Sequence, residues 1–196
     1  MAWEQDLGLE LEDETWERSL DRIRTSSLCL RHGLIQFKIL HRLHFSREKL
    51  SKIYPGVDSA CVRCHSEPAS LGHMFWRCSS LTPFWDSIFN VFSDLCNTVI
   101  DPNPIIAIFG VPTDDTLVPS AQAKVIAFSS LIARRLILRH WKSDKPPSFS
   151  EWVRDVLSFI PLEKLRYNRF KSKRKFKKVW SPFLSLVRTL TLEDPG

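Results

Sequence analysis

Glycine is scarce in this chain: six among 196 residues, and the six are scattered. No G-x-x-x-x-G-K loop can be assembled from them, so the commonest backbone cradle for nucleotide phosphates is excluded. No apolar run approaches the ~20 residues that a membrane-spanning helix needs. Period-two alternation is sparse and no internal repeat is visible, which argues against sheet and solenoid architectures. Catalytic constellations are missing as well. His32, His41, His44 and His140 lie near arginines, with no carboxylate or nucleophile at a useful spacing, and read as surface residues on basic faces. Asp101 and Asp114-Asp115 sit among loop-forming residues, where carboxylates make turns. The expectation is a protein without catalytic residues, and not an enzyme.

What remains is globular and basic. Hydrophobic residues make up 43% and aromatics 11%, far from a disordered composition. The formal charge is +6 and the sequence pI about 9.2. Distribution sharpens this. Residues 1–17 hold seven acids and no base, so all 28 basic residues face the remaining 15 acids in the rest of the chain. A body that positive suits a polyanion, with nucleic acid the expected partner and no membrane. The acidic start reads as an exposed helix entry. Met1 opens an acidic, Trp-containing segment unlike a signal peptide, so the expected location is cytoplasmic or nuclear, not secreted.

The organising stretch is CVRCHSEPASLGHMFWRC, residues 61–78. Cys61, Cys64, His73 and Cys78 form a C-x2-C-x8-H-x4-C arrangement. Three thiolates and one imidazole satisfy a structural zinc site, and four protein ligands leave no open position for a catalytic water. The H-x4-C half cannot lie along one α-helical face, because five residues turn through about 500°. One of its ligands is therefore expected in a turn and the other near a helix start, with Gly72 bending the chain before His73. Cys29 and Cys96 are left as spare thiols, consistent with a reducing compartment.

These residues, with their flank, resemble the zinc-knuckle region of LINE-type (non-LTR) retrotransposon reverse transcriptases. The family pattern reads here as the two cysteines, His73-Met74-Phe75-Trp76-Arg77-Cys78, then Pro83-Phe84-Trp85. Upstream, Gln36-Phe37-Lys38-Ile39-Leu40-His41-Arg42 and Lys52-Ile53-Tyr54-Pro55 are similar to the family's approach to the knuckle. Downstream, Ile108-Phe109-Gly110, Ala133 to Trp141, Glu151-Trp152 and Trp180-Ser181-Pro182-Phe183 follow its pattern, so the likeness covers nearly the whole chain. YxDD-like polymerase carboxylates and an endonuclease constellation are missing. The resemblance implies a non-catalytic C-terminal segment that helps hold template RNA and target during target-primed reverse transcription, beside a polymerase core absent from this sequence.

Helix signals run throughout, and the expected fold is all-α, with helical lobes around a small CCHC zinc knuckle. Residues 1–12 are loosely patterned and expected to be mobile. Asp13 or Thr15 caps a helix carrying Trp16, Leu20 and Ile23. Leu28 to Leu43 places Leu30, Leu34, Phe37, Leu40 and Leu43 on one apolar stripe, with His32 among the basic residues opposite. Ser46 caps a short helix, and Thr82-Pro83 opens another that buries Ile88, Val91, Phe92 and Leu95. Residues 97–119 read as a linker with an apolar plug at Ile105 to Phe109 and room for a brief strand. This divides the chain into an N-terminal lobe, 1–96, and a basic C-terminal lobe, 120–196. Ser120 opens the most hydrophobic helix, whose last turns place Arg134, Arg135, Arg139 and His140 at the negative end of the dipole. Ser148 and Glu151 form a capping box for a helix ending near Pro161, and Ser181-Pro182 caps a last short one.

Six cations crowd into residues 171–178: Lys171, Lys173, Arg174, Lys175, Lys177 and Lys178, interleaved with Phe170, Phe176 and Trp180. Cations neutralise phosphates while aromatic faces stack on unpaired bases, so contact with nucleic acid is the leading expectation, beside a nuclear-import signal or a solvated helix face with the rings in the core; the resemblance implies RNA or a single strand as the ligand. Arg63, Trp76 and Arg77 in the knuckle are further candidate contacts, with one of Phe75 and Trp76 assigned to the core. The competing expectation is a zinc-stapled protein–protein interaction module that binds no nucleic acid.

Overall fold

The computed structural model describes residues 2–65, 68–113 and 116–193, with side chains to 190; Asp114 and Asp115 lie outside the described residues. The chain is all-α, as expected. Among the described residues eight α-helices follow in order: α1 (Ala2–Leu7), α2 (Asp13–Thr25), α3 (Leu30–Leu40), α4 (Arg47–Ile53), α5 (Thr82–Cys96), α6 (Ser120–Arg139), α7 (Phe149–Arg169) and α8 (Lys173–Glu193). Among the described residues the only β-type pairing is an isolated antiparallel bridge, Ala60 to Pro68. No described helix is long and apolar enough to cross a membrane.

Helix α6 is the axis. Thirteen of its residues are buried, and α3, α5, α7 and α8 all pack on it. The plug at Ile105–Phe109 is a buried π-helical turn, not a strand, with Ile106, Ala107, Ile108 and Phe109 inside the molecule. Its carbonyls are held by a charge. Arg134, wholly buried, donates through Nη1 to Ala107 O (2.7 Å) and through Nη2 to Gln36 Oε1 (2.8 Å), while Gln36 Nε2 donates to Phe109 O (3.3 Å). Arg134 therefore ties α6, α3 and the plug together instead of facing solvent near the helix end. One hydrophobic cluster runs from Trp3 to Val187.

The start of the chain is ordered by two anchors. Trp3 is buried and donates its indole N–H to Leu40 O (3.1 Å), and Arg42 lies over its ring. Asp6 reaches the knuckle. The expectation of a mobile segment overlooked both, because a single tryptophan and a single aspartate make no periodic signal.

Of the five residues on the apolar stripe assigned to α3, only Leu40 is buried. His32, Gln36, Ile39 and Leu40 are buried, whereas Leu30 is 91% exposed and Leu34, Phe37 and Leu43 are also outside. The cause is the crossing with α2, which is so close that a Cβ on Gly33 would stand 2.8 Å from Ile23 O. That contact turns the His32 side inward. His32 Nδ1 pairs with Ser27 Oγ (3.0 Å), and burial followed by the Arg135 charge pushes its pKa down to about 4. It is a neutral core histidine and not a surface one.

Capping signals are confirmed where they were plain. Ser46 Oγ accepts from Lys49 N (3.1 Å), and Ser148 with Glu151 completes the capping box. The prolines misled. Both Pro161 and Pro182 lie inside long helices, α7 and α8, although each removes a hydrogen bond and crowds the preceding turn. Beyond Pro161, tertiary bonds hold α7: Glu163 Oε1 accepts from Ser27 Oγ and Leu28 N, and Arg166 Nη1 donates to Thr25 O. Beyond Pro182, Phe183 and Val187 are fully buried.

Candidate metal centre and basic surface

The structure brings Cys61, Cys64, His73 and Cys78 together, with their ligand atoms all within 4.8 Å of one another. Cys61 Sγ and Cys78 Sγ are 3.7 Å apart, and Cys64 Sγ is 3.3 Å from His73 Nε2. Local backbone builds each half. In the first, the Arg63 N–H donates to Cys61 Sγ (3.4 Å) and the His65 N–H to Cys61 O (3.0 Å), closing a tight turn with His65 in the left-handed region. The second solves the H-x4-C problem with a π-helical turn over His73–Arg77. Its i to i+5 bond, Cys78 N to His73 O (3.1 Å), widens the turn until both ends face the same side. Trp85 Nε1 donates to Phe75 O (2.8 Å) and fixes that turn to α5.

Three of the ligands are buried, and this has an electrostatic consequence. Burial first, and then the neighbouring Cys61, raise the Cys78 thiol to about 11. Two anionic sulfurs this close and this dry need a cation between them. The cluster can hold one metal ion. Cys29 and Cys96 lie outside it.

A supporting residue escaped the sequence reading. Asp6 Oδ1 accepts from Ser70 Oγ (2.6 Å) and pairs with Arg77 Nη2 (3.1 Å), while Oδ2 accepts from Gly72 N (2.9 Å) and pairs with Arg42 Nη2 (2.6 Å). Ser70 Oγ in turn accepts from His73 N (3.0 Å), so Asp6 braces the turn that presents the imidazole. Gly72 has ordinary helical backbone and bends nothing. It is needed because a Cβ there would meet Asp6 Oδ1 at 2.7 Å. Burial alone would raise the Asp6 pKa, but the hydrogen bonds from Ser70, Arg42 and Gly72 and the Arg42 charge outweigh it and hold the carboxyl below its ordinary 3.8. A depressed carboxyl contributes stability at pH values above its unfolded pKa and loses it as pH falls through the folded value. Asp6→Asn should therefore cost about 1–3 kcal/mol at pH 7 and flatten the acid limb of a melting-temperature profile below pH 4. An unchanged acid limb would show that Asp6 does not brace the knuckle.

The candidate nucleic-acid residues divide. Lys171, Lys173, Arg174, Lys175, Lys177 and Lys178 are all exposed, on the α7–α8 turn and the first two turns of α8. None is paired with a carboxylate among the described residues. Of the interleaved rings, Trp180 is buried, Phe176 is half-buried between Tyr167 and Trp180, and Phe170 is 69% exposed. In the knuckle, Arg63 is buried, with its guanidinium 3.5 Å from Met74 O, and Arg77 is occupied by Asp6. Phe75 is the ring in the core, while Trp76 is half-buried against Trp85 and Phe89. No family model matches the chain.

Proposed function

We propose that this chain is a non-catalytic, zinc-stapled module that binds single-stranded nucleic acid, in the role its sequence resembles, that of the C-terminal segment of a LINE-type reverse transcriptase. The ion is Zn²⁺. For Zn–S near 2.3 Å and Zn–N near 2.05 Å, a tetrahedron has edges of about 3.8 Å between sulfurs and 3.6 Å between sulfur and nitrogen. The spacings of 3.7 Å and 3.3 Å are close to these, and a donor set of three sulfurs and one nitrogen is what zinc prefers. Cys61, Cys64, His73 and Cys78 would hold it, and it would supply local rigidity.

The observation that carries the binding role is the α8 surface. Six exposed cations there are free of carboxylates among the described residues, Lys171 on the turn before α8 and five on the helix itself, whose other face is anchored by Val179, Trp180, Phe183 and Val187. Such a face tracks phosphates with little sequence preference. Anisotropy titrations with single-stranded RNA should give a log–log salt slope of about −0.7 per phosphate neutralised. Replacing Lys173, Lys177 and Lys178 with Gln should remove about two units of that slope. A flat salt dependence, or a triple variant that binds unchanged, overturns the reading. That result would favour a protein partner, for which the exposed row Leu30, Leu34 and Phe37 on α3 is the supporting observation.

A further inference from the structure

A cleft of about 360 Å³ opens between α2, α6, α7 and the start of α8. Four cations from four different helices line it: Arg22, Lys124, Arg166 and Lys175. Only Lys175 belongs to the run visible in the sequence. Phe170 stands at the same cleft, exposed.

Three observations show that this cluster is poised for an anion. The first is mutual repulsion. Burial first, and then the charges of Lys175, Arg166 and Arg22, lower the pKa of Lys124. Two carboxylates, Glu163 and Asp21, also line the cleft, Glu163 accepting from Ser27 Oγ and Leu28 N and Asp21 from Thr25 Oγ1, so four cations stand against two acids there. The second is the end of α8. Its first turn carries Lys173, Arg174 and Lys175 and no acid, so cations crowd the positive end of a helix of 21 residues. Helix dipoles favour the opposite arrangement, and an anion at that end would reverse the sign of the interaction. The third is a pair of buried donors. Ser26 is 6% exposed and Trp180 is 3% exposed; both line the cleft, and neither Ser26 Oγ nor Trp180 Nε1 has a hydrogen-bond partner among the described residues. Buried donors of this kind are costly unless something accepts from them.

We infer that this cleft binds a phosphoryl group, held by Lys124, Arg166 and Lys175 with Ser26 and Trp180 as neutral donors, and that a base attached to it lies against Phe170. The inference rests on the single-strand reading for the source of the phosphate, because a free nucleotide carries the same group. It changes the picture of binding from a uniform charged face to one anchored phosphate beside a tracking surface.

The test uses the full zinc-loaded chain with three ligands: inorganic phosphate, adenosine monophosphate and an eight-nucleotide single-stranded RNA. The Trp180 indole N–H resonance, assigned with Trp180→Phe, reports on the cleft directly. Lys124 and Lys175 are exposed, so Lys124→Gln/Lys175→Gln should fold normally. The monophosphate and the RNA should both move the indole resonance, and the double variant should weaken both by about tenfold or more. Phosphate acting as strongly as the monophosphate would keep the anion site and remove the Phe170 contact. Monophosphate binding without RNA binding would keep the cleft and overturn the single-strand reading. RNA binding with a still indole resonance and an indifferent double variant would overturn the cleft and leave that reading intact. No shift with any ligand overturns the cleft.

Discussion

Chelating the metal should lower the melting temperature by about 8–16 °C, from ~4 kcal/mol of linkage at free zinc a thousandfold above Kd and ~2–4 °C per kcal/mol for a chain of this size. The effect is large because the centre is not an appendage. Cys61 and Cys78 belong to the main hydrophobic cluster, along with Leu71, Met74, Phe75 and Leu81 around them. Without a cation, Cys78 resists ionisation up to about 11. Loading the proposed zinc would convert buried thiols to thiolates and release protons, so apparent affinity should fall as pH falls. Cys78→Ser should mimic chelation, whereas Cys96→Ser, outside the cluster, should not. Cobalt substitution offers an independent check, since tetrahedral thiolate coordination gives intense visible bands. A chelator that leaves the melting temperature unmoved, with no metal found by native mass spectrometry, would overturn the centre.

Arg134→Ala should destabilise the fold by about 3–5 kcal/mol, combining a large buried cavity with acceptors left unpaired. Burial pulls the guanidinium down to about 9, still cationic at neutral pH, and its partners among the described residues are a carbonyl and an amide oxygen. Removing it leaves Ala107 O and Gln36 Oε1 dry and loosens the plug between α3 and α6. Arg134→Met keeps much of the volume but restores neither bond, so it should recover only part of the loss. Urea unfolding measures this as a lower midpoint at unchanged slope. A loss below about 1 kcal/mol for the alanine variant would mean that the plug is held by packing alone. Because the plug also lies against the His73–Arg77 turn, a loosened plug should weaken metal retention as well.

Sequence by itself determined the all-α class and the four residues of a cluster that can hold a metal ion, and the reason is locality. Helix caps such as Ser46 and the Ser148–Glu151 box act within three or four residues, and two of the ligand pairs, Cys61 with Cys64 and His73 with Cys78, are set by short spacings. The cation run at 171–178 is equally local, and its exposure follows from the solvation that charged side chains demand. Tertiary structure alone decided which face of α3 turns inward, because that depends on the close passage of α2 at Gly33. It decided that Pro161 and Pro182 sit within helices, since packing and bonds from distant residues outweigh the hydrogen bond that each removes. Asp6 and Arg134 gained their roles in the same way, by reaching partners 64 and 98 residues distant in the chain, Ser70 and Gln36. The cleft is the clearest case. Arg22, Lys124, Arg166 and Lys175 become one site only where four helices converge, and no spacing rule along a chain encodes that convergence.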